Sequence, residues 1–236
     1  MPSPNSTADG PLPLVLIGLT AVTGLVDAVS YLKLGHVFVA NMTGNVVLLG
    51  FAAGGAADIS AALSLVAIGS FLLGALAGGR LGSHTGQHRG RFLALSTYAQ
   101  ATALAAALVV SLAPFSVDDG ISAYALVVFL AFAMGLQNAT ARRLGVAELT
   151  TTVLTLTVTG LAADSSLAGG MHPNTGRRLL AIAAMFVGAL VGAVLIFRVS
   201  LSAALGVAVV LLLLNAVAGY RFSSSTAAWT AAKSVK

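Results

Sequence analysis

Cysteine is absent from this chain of 236 residues, and charged side chains are scarce. Without thiols the chain cannot form disulfides, thiolate zinc sites, iron–sulfur clusters or a cysteine nucleophile. Charged residues make up 8% of the sequence, against roughly 25% in an ordinary soluble domain. Because so few polar groups could not cover a globular core, the composition indicates an integral membrane protein rather than a soluble helical one.

A basic nucleic-acid-binding arm is also missing, although the net charge is +5. Nine of the twelve basic residues are Arg, and they are scattered in short stretches between apolar segments. Basic residues in such loops are typical topology signals of membrane proteins. We therefore expect the lipid bilayer, and not nucleic acid, as the partner of this chain.

Hydrophobic residues supply 58% of the chain, which contains six apolar stretches long enough to span about 30 Å of hydrocarbon. They are 12–33, 59–79, 92–113, 121–139, 178–197 and 201–219. Two further stretches, 36–54 and 145–163, are apolar but interrupted by polar residues. The predicted organisation is a disordered tail over 1–10, one membrane domain over 11–219 and a cytoplasmic tail over 220–236.

The distribution of charge favours six spans. If both interrupted stretches are re-entrant, ten Lys or Arg residues lie on one side and two, Lys33 and Arg198, lie on the other. If both stretches cross, the split is seven to five. The positive-inside rule favours the first arrangement, which places both termini in the cytoplasm. Crossing of both stretches stays open as the alternative.

The two halves of the chain resemble each other weakly. GLVDAV at 24–29 resembles GLQNAT at 135–140. TGNV at 43–46 resembles TLTV at 155–158, and GALAG at 74–78 resembles GALVG at 188–192. Each half, about 12–113 and 121–219, contains three spans, so the second half must be inverted relative to the first. The predicted fold is an all-α integral membrane protein with six transmembrane helices in two inverted three-helix repeats, each with a short broken or re-entrant segment, as in many secondary transporters.

Polar side chains are concentrated in the interrupted stretches, where lipid would be expected. Unpaired polar groups are costly in hydrocarbon, so such segments persist only inside protein or beside water. Asp27 is the only acidic residue well inside a span, and Asn138 occupies the matching place in the second half. We predict a site for a small molecule or ion, formed by Asp27, Asn41, Thr43, Gly44, Asn45, Asn138, Thr152 and Thr155.

These groups have a structural alternative, because polar residues often hold membrane helices together. Asp27 could form an ion pair with Lys33 or a buried helix cap. The sequence therefore predicts a secondary transporter or permease for a small solute, with a non-transporting scaffold or accessory subunit as the alternative. Gly74 with Gly78, and Gly188 with Gly192, permit close helix packing within a protomer or in a homo-oligomer.

Catalytic and cofactor motifs are absent from the sequence. It contains no phosphate loop, no HExxH helix and no GxSxG elbow, and no His lies within a predicted span. His84 and His88 have metal-ligand spacing, but nearby glycines indicate a solvated loop and no third ligand is close in sequence. We expect neither an enzyme nor a bound metal or cofactor.

The stretch GLVDAVSYLKLGHVFVANMTGNVVLLG, residues 24–50, resembles the characteristic motif of the YoaK family. GLQNATAR and TTVLT resemble a second motif of that family, from which the chain departs at Leu156 and Gly160, where the family usually has Gly and Asp. The resemblance covers nearly the whole chain. It implies a multi-pass protein of the bacterial inner membrane without an established substrate.

Overall fold

The computed structural model describes residues 9–113, 121–146, 149, 151, 154–170, 174–223 and 228–231. Within these residues the chain forms eight α-helices. They are α1 (Leu12–Lys33), α2 (Met42–Ala53), α3 (Ala61–Thr85), α4 (Arg89–Leu112), α5 (Ile121–Leu144), α6 (Leu154–Ala163), α7 (Thr175–Arg198) and α8 (Leu201–Ser223). Two 3-10 turns, Ser166–Ala168 and Ala228–Thr230, follow α6 and α8.

Six of these helices are long and apolar enough to cross a membrane, which confirms the predicted all-α class with six helices of spanning length. The other two, α2 and α6, are apolar but have only 12 and 10 residues. At about 1.5 Å per residue they would reach roughly 18 and 15 Å, about half of the hydrocarbon thickness. They lie within the two interrupted stretches of the sequence.

The outer faces of the long helices are apolar. Leu72 on α3, Phe186 on α7 and Leu214 on α8 are each more than half exposed. In water such a surface would be a liability, but in a bilayer it is the surface that lipid chains cover. Polar side chains such as Gln100 and Gln137 are instead buried between the helices, where they hydrogen-bond to each other.

Glycines allow α3 and α5 to pack in backbone contact. A Cβ atom at Gly74 would collide with the carbonyl oxygen of Phe132 on α5, and one at Gly135 would collide with the carbonyl oxygen of Phe71 on α3. Gly78 lies against Leu136 in the same seam. We call this contact the α3–α5 seam.

Helices α1 and α7 pack in the same way. A Cβ atom at Gly188 would collide with the carbonyl oxygen of Ala21 on α1, and one at Gly24 would collide with the carbonyl oxygen of Met185 on α7. Gly192 lies against Leu25 in this α1–α7 seam. Both small-residue motifs of the sequence are therefore used within the protomer.

One buried arginine ties together four chain segments. The guanidinium of Arg89, the first residue of α4, pairs with Asp9 Oδ1 at 3.0 Å and donates to the carbonyl oxygen of Leu144 at 2.8 Å. It also donates to the carbonyl oxygen of Trp229 at 3.3 Å. We call this end of the molecule the Arg89 end, because α1 and α4 begin there and α5 and α8 end there.

The described residues near both chain ends have partners in the fold. Asp9 is buried in its pair with Arg89, and Trp229 is buried where it packs over Gly10. Helix α8 continues to Ser223, beyond the predicted boundary at 219. Composition alone predicts polar ends. In the folded chain, however, Asp9 pairs with the Arg89 cation and Trp229 packs over Gly10.

Candidate functional site

A cavity of about 530 Å³ lies where α2 and α6 begin. Four of the predicted site residues line it, namely Asn41, Thr43, Gly44 and Thr155. Tyr31, Phe38, Val47, Leu48, Leu154 and Met185 complete the described lining. We call it the central cavity, since it brings the two interrupted stretches of the sequence to one place.

The depth of the central cavity follows from α7. Met185 lies ten residues after Thr175, the first residue of that helix. At about 1.5 Å per residue this is roughly 15 Å into a hydrocarbon layer about 30 Å thick. The cavity therefore reaches about halfway along the length of α7.

The chain enters α2 through a non-helical segment, 34–41, that Asp27 holds in place. Gly35 and His36 have φ values of 82° and 57°, a left-handed turn that ends the run of α1. Oδ1 of Asp27 then accepts the backbone N–H groups of Val39 at 3.2 Å and Ala40 at 2.9 Å. Its carboxylate thus satisfies backbone donors that have no strand or helix partner.

Asn45 forms a second clamp on the same segment. Its amide donates to the carbonyl oxygen of Phe38 at 2.6 Å and accepts the N–H of the same residue at 2.9 Å. Asn45 is fully buried, and the Phe38 ring lies against Gly44, where a Cβ atom would approach it to 2.7 Å. Gly44 is therefore needed for the close fit of this aromatic ring on α2.

The predicted residues thus divide into two roles in the first half. Asp27 and Asn45 use their polar groups to shape the chain. The side chains of Asn41 and Thr43, and that of Thr155 on α6, line the cavity and form no hydrogen bond with the described residues. An amide and two hydroxyl groups are therefore available to a ligand in the central cavity.

The second half holds its short helix differently. Arg178 on α7 donates to the carbonyl oxygen of Gly160 at 2.6 Å and pairs with Asp164 Oδ2 at 2.7 Å. Its guanidinium lies over Gly160, so a larger residue there would displace it. Thr151 precedes α6 with a φ of 61°, a backbone conformation that is costly for a β-branched residue.

Three described residues of the predicted site, Asp27, Asn45 and Asn138, are not among those that line the central cavity. Asn138 donates to the carbonyl oxygen of Met134 at 2.9 Å and lines a different cavity at the Arg89 end. Thr152 lies outside the described residues. Of the two histidines with metal-ligand spacing, His88 caps α4 by accepting the N–H of Arg91 at 3.2 Å.

Sequence reasoning missed the aromatic wall and the far side of the cavity. The rings of Tyr31 and Phe38 stack with centroids 5.0 Å apart. Tyr31 follows Asp27 by four residues on the same helix face, so helical spacing could have indicated it. No local sequence pattern identifies Met185, because it lies beside the cavity only when α7 packs against α1.

The helices and the apolar outer surface define a multi-pass membrane protein. Residues 15–218 match the family model described as "Protein of unknown function (DUF1275)", and the chain belongs to this family. It is also 36% identical over 154 residues to the UPF0700 transmembrane protein YoaK of Bacillus subtilis (strain 168). This match covers 65% of the chain and 66% of that relative, so the chain spans slightly less than two thirds of the relative's length. The resemblance seen in the motifs is confirmed, and no solved structure matches significantly.

Proposed function

We propose that this protein is a secondary transporter or permease that carries a small polar solute through the central cavity. The observation that carries the proposal is the shared cavity at the first turns of α2 and α6, with the unbonded side chains of Asn41, Thr43 and Thr155 in its wall. Interrupted helices that meet near the middle of the bilayer are the usual binding site of secondary transporters. The sequence has no ATP-binding motif, so uphill transport would be coupled to an ion.

The class of solute follows from the groups in the cavity. The first backbone N–H groups of a helix have no intrahelical acceptor and carry partial positive charge. The first turn of α2 faces this space, beside the first described residues of α6. These donors favour a solute with anionic or other electronegative oxygen atoms. Asp27 is the residue through which a proton or cation would be coupled, since its Oδ2 forms no hydrogen bond with the described residues.

The proposal includes an inverted-repeat architecture, which the seams support. Gly24 and Gly135 are 111 residues apart, and each contacts a carbonyl oxygen on the partner helix. Those oxygens belong to Met185 and Phe71, which are 114 residues apart. The contacts of the α1–α7 seam thus correspond to those of the α3–α5 seam. A pseudo-twofold axis relating the two halves would produce this correspondence.

The proposal also makes α2 and α6 re-entrant. The pairing of Asp9 with Arg89 supports this, because α1 and α4 begin at the same end and a re-entrant α2 returns the chain to the side where α1 ends. The bonds of Leu144 and Trp229 to Arg89 give the same support for α6, because α5 and α8 also end there. The positive-inside rule assigns the Arg89 end, with its many arginines, to the cytoplasm of a bacterial inner membrane.

Single cysteines provide the test, because the chain has none of its own. A cavity with alternating access should let a membrane-impermeant thiol reagent reach Thr43→Cys from the outside in cells and from the inside in inverted vesicles. Ala57→Cys, after α2, should react only from outside. Ala168→Cys, after α6, should react only from inside, and both residues are exposed.

A scaffold or accessory subunit is the second candidate, and one observation favours it. Asp27 and Asn45, the most deeply buried of the predicted polar groups, bond to the backbone of their own segment. A scaffold needs no access to both sides. Reaction of Thr43→Cys from one face alone would therefore support the scaffold and contradict transport, and reversed labelling of the two control positions would contradict the topology.

A further inference from the structure

A second cavity, of about 560 Å³, lies at the Arg89 end between the end of α3, the start of α4 and the end of α5. Three of its lining residues are Arg89, Arg142 and Arg143, and no acidic side chain is among the described residues that line it. We call it the arginine cavity. It is separate from the central cavity, with which it shares no lining residue.

Two of these arginines carry charge that no described acidic residue neutralises. Arg89 is engaged by Asp9, whereas Arg142 and Arg143 form no hydrogen bond or ion pair with the described residues. Arg143 is nevertheless held in place, because its side chain lies over Gly82 and Gly86 at the end of α3. A helix C-terminus favours a cation at this position. Positioned guanidinium groups of this kind match the oxygens of a phosphate.

Apart from Asn138, the rest of the wall is apolar and opens toward lipid. Ala75, Gly79 and Ala139 line the cavity beside the arginines, and Gly79 is exposed. A Cβ atom at Gly79 would meet nothing within 4 Å. Leu72 and Leu76, on the same face of α3, are more than half exposed. A phosphate site therefore continues directly into a surface suited to an acyl chain.

We propose that the arginine cavity binds the phosphate headgroup of an anionic phospholipid, whose acyl chain lies along α3 at Gly79. Basic pockets between transmembrane helices on the cytoplasmic side bind such headgroups. Free phosphate would use the same guanidinium groups but would gain nothing from the apolar wall. This site goes beyond the proposed transport function, because it involves none of the residues that line the central cavity.

Native mass spectrometry of the full chain in detergent, mixed with phosphatidylglycerol or phosphatidylcholine, tests the proposal. We expect phosphatidylglycerol to remain bound and phosphatidylcholine to dissociate. The double variant Arg142→Gln/Arg143→Gln should bind phosphatidylglycerol roughly thirtyfold more weakly, as expected for two arginines near a membrane phosphate. Arg80→Gln/Arg91→Gln removes the same charge at the same end from exposed residues outside the cavity, and should bind like the parent chain.

A variant that keeps every charge provides a second measurement. Gly79→Leu should exclude the acyl chain and lower phosphatidylglycerol binding, while Gly69→Leu, also on α3 and also open around its Cβ, should not. Both replacements favour the helix, so folding is preserved. Equal binding by the two double variants, or by the two glycine variants, would overturn the site. Displacement of the lipid by inorganic phosphate would overturn the lipid assignment.

Discussion

The two halves of this protein meet in two glycine seams but hold their short helices by different means. In the first half, hydrogen bonds between the backbone and the side chains of Asp27 and Asn45 fix the segment that leads into α2. In the second half, an ion pair between Arg178 and Asp164 fixes the end of α6.

The difference reflects where each clamp meets solvent. Asn45 is fully buried, and a buried amide must satisfy all of its hydrogen-bonding groups within the protein. The Asp164 side chain is 43% exposed, so water shares in solvating its charge. An ion pair therefore suits the exposed end of α6, whereas a hydrogen-bonded amide suits the interior. Close helix packing has no such dependence on solvent, which is why both halves use glycine.

The largest loss of stability is expected from substitutions at the two seams, and the loss should be similar at both. Gly74→Val and Gly188→Val each place side-chain atoms into a carbonyl oxygen of the facing helix. We expect each to lower the free energy of unfolding by about 3 kcal/mol or more, through overpacking that the backbone cannot relieve. Thermal unfolding and recovery of monodisperse protein in detergent measure the loss.

Gly69→Val is the matched control for both seam variants. It lies on α3 with open space around its Cβ and should leave stability within about 0.5 kcal/mol of the parent chain, as for most surface changes. A stable Gly188→Val beside an unstable Gly74→Val would contradict the equivalence of the two seams.

A smaller effect is expected at the clamp of the first half. Asn45→Ala leaves the partly buried N–H and carbonyl groups of Phe38 without their partner. Each unsatisfied group costs about 1–3 kcal/mol, so we expect a loss of roughly 2–4 kcal/mol, insensitive to salt. The loss is measured by chemical or thermal unfolding. Asn41→Ala, which removes an amide without hydrogen bonds to the described residues, is the control and should change stability little.

The smallest effect is expected at the clamp of the second half. Asp164→Asn removes the charge of a partly exposed carboxylate, but the amide oxygen can still accept from the buried guanidinium of Arg178. We therefore expect a loss of about 1 kcal/mol, the upper end of the range for exposed pairs. The difference from the parent chain should shrink further at high ionic strength, because salt screens exposed charges. Asp58→Asn, at an exposed residue with no ion pair to the described residues, is the control. A loss at Asp164 as large and salt-insensitive as that at Asn45 would remove the distinction between the clamps.

The sequence by itself determined the membrane class, the six spanning helices and the positions of the two short ones. The predicted span 12–33 coincides with α1, and α2 and α6 lie inside the predicted interrupted stretches. These features are local, because in lipid each span must satisfy its own backbone hydrogen bonds and bring its own apolar surface. The family membership also followed from local motifs.

Only the tertiary structure decided which polar groups are free and which are used. Asp27 and Asn45 have the same polar appearance in the sequence as Asn41 and Thr43, yet the first two bond to the backbone of segment 34–41 and the last two do not. Met185 reaches the central cavity, and Trp229 reaches Arg89, only because distant helices pack together. A hydrogen bond is decided by what the folded chain brings within about 3 Å, which no local pattern of residues encodes.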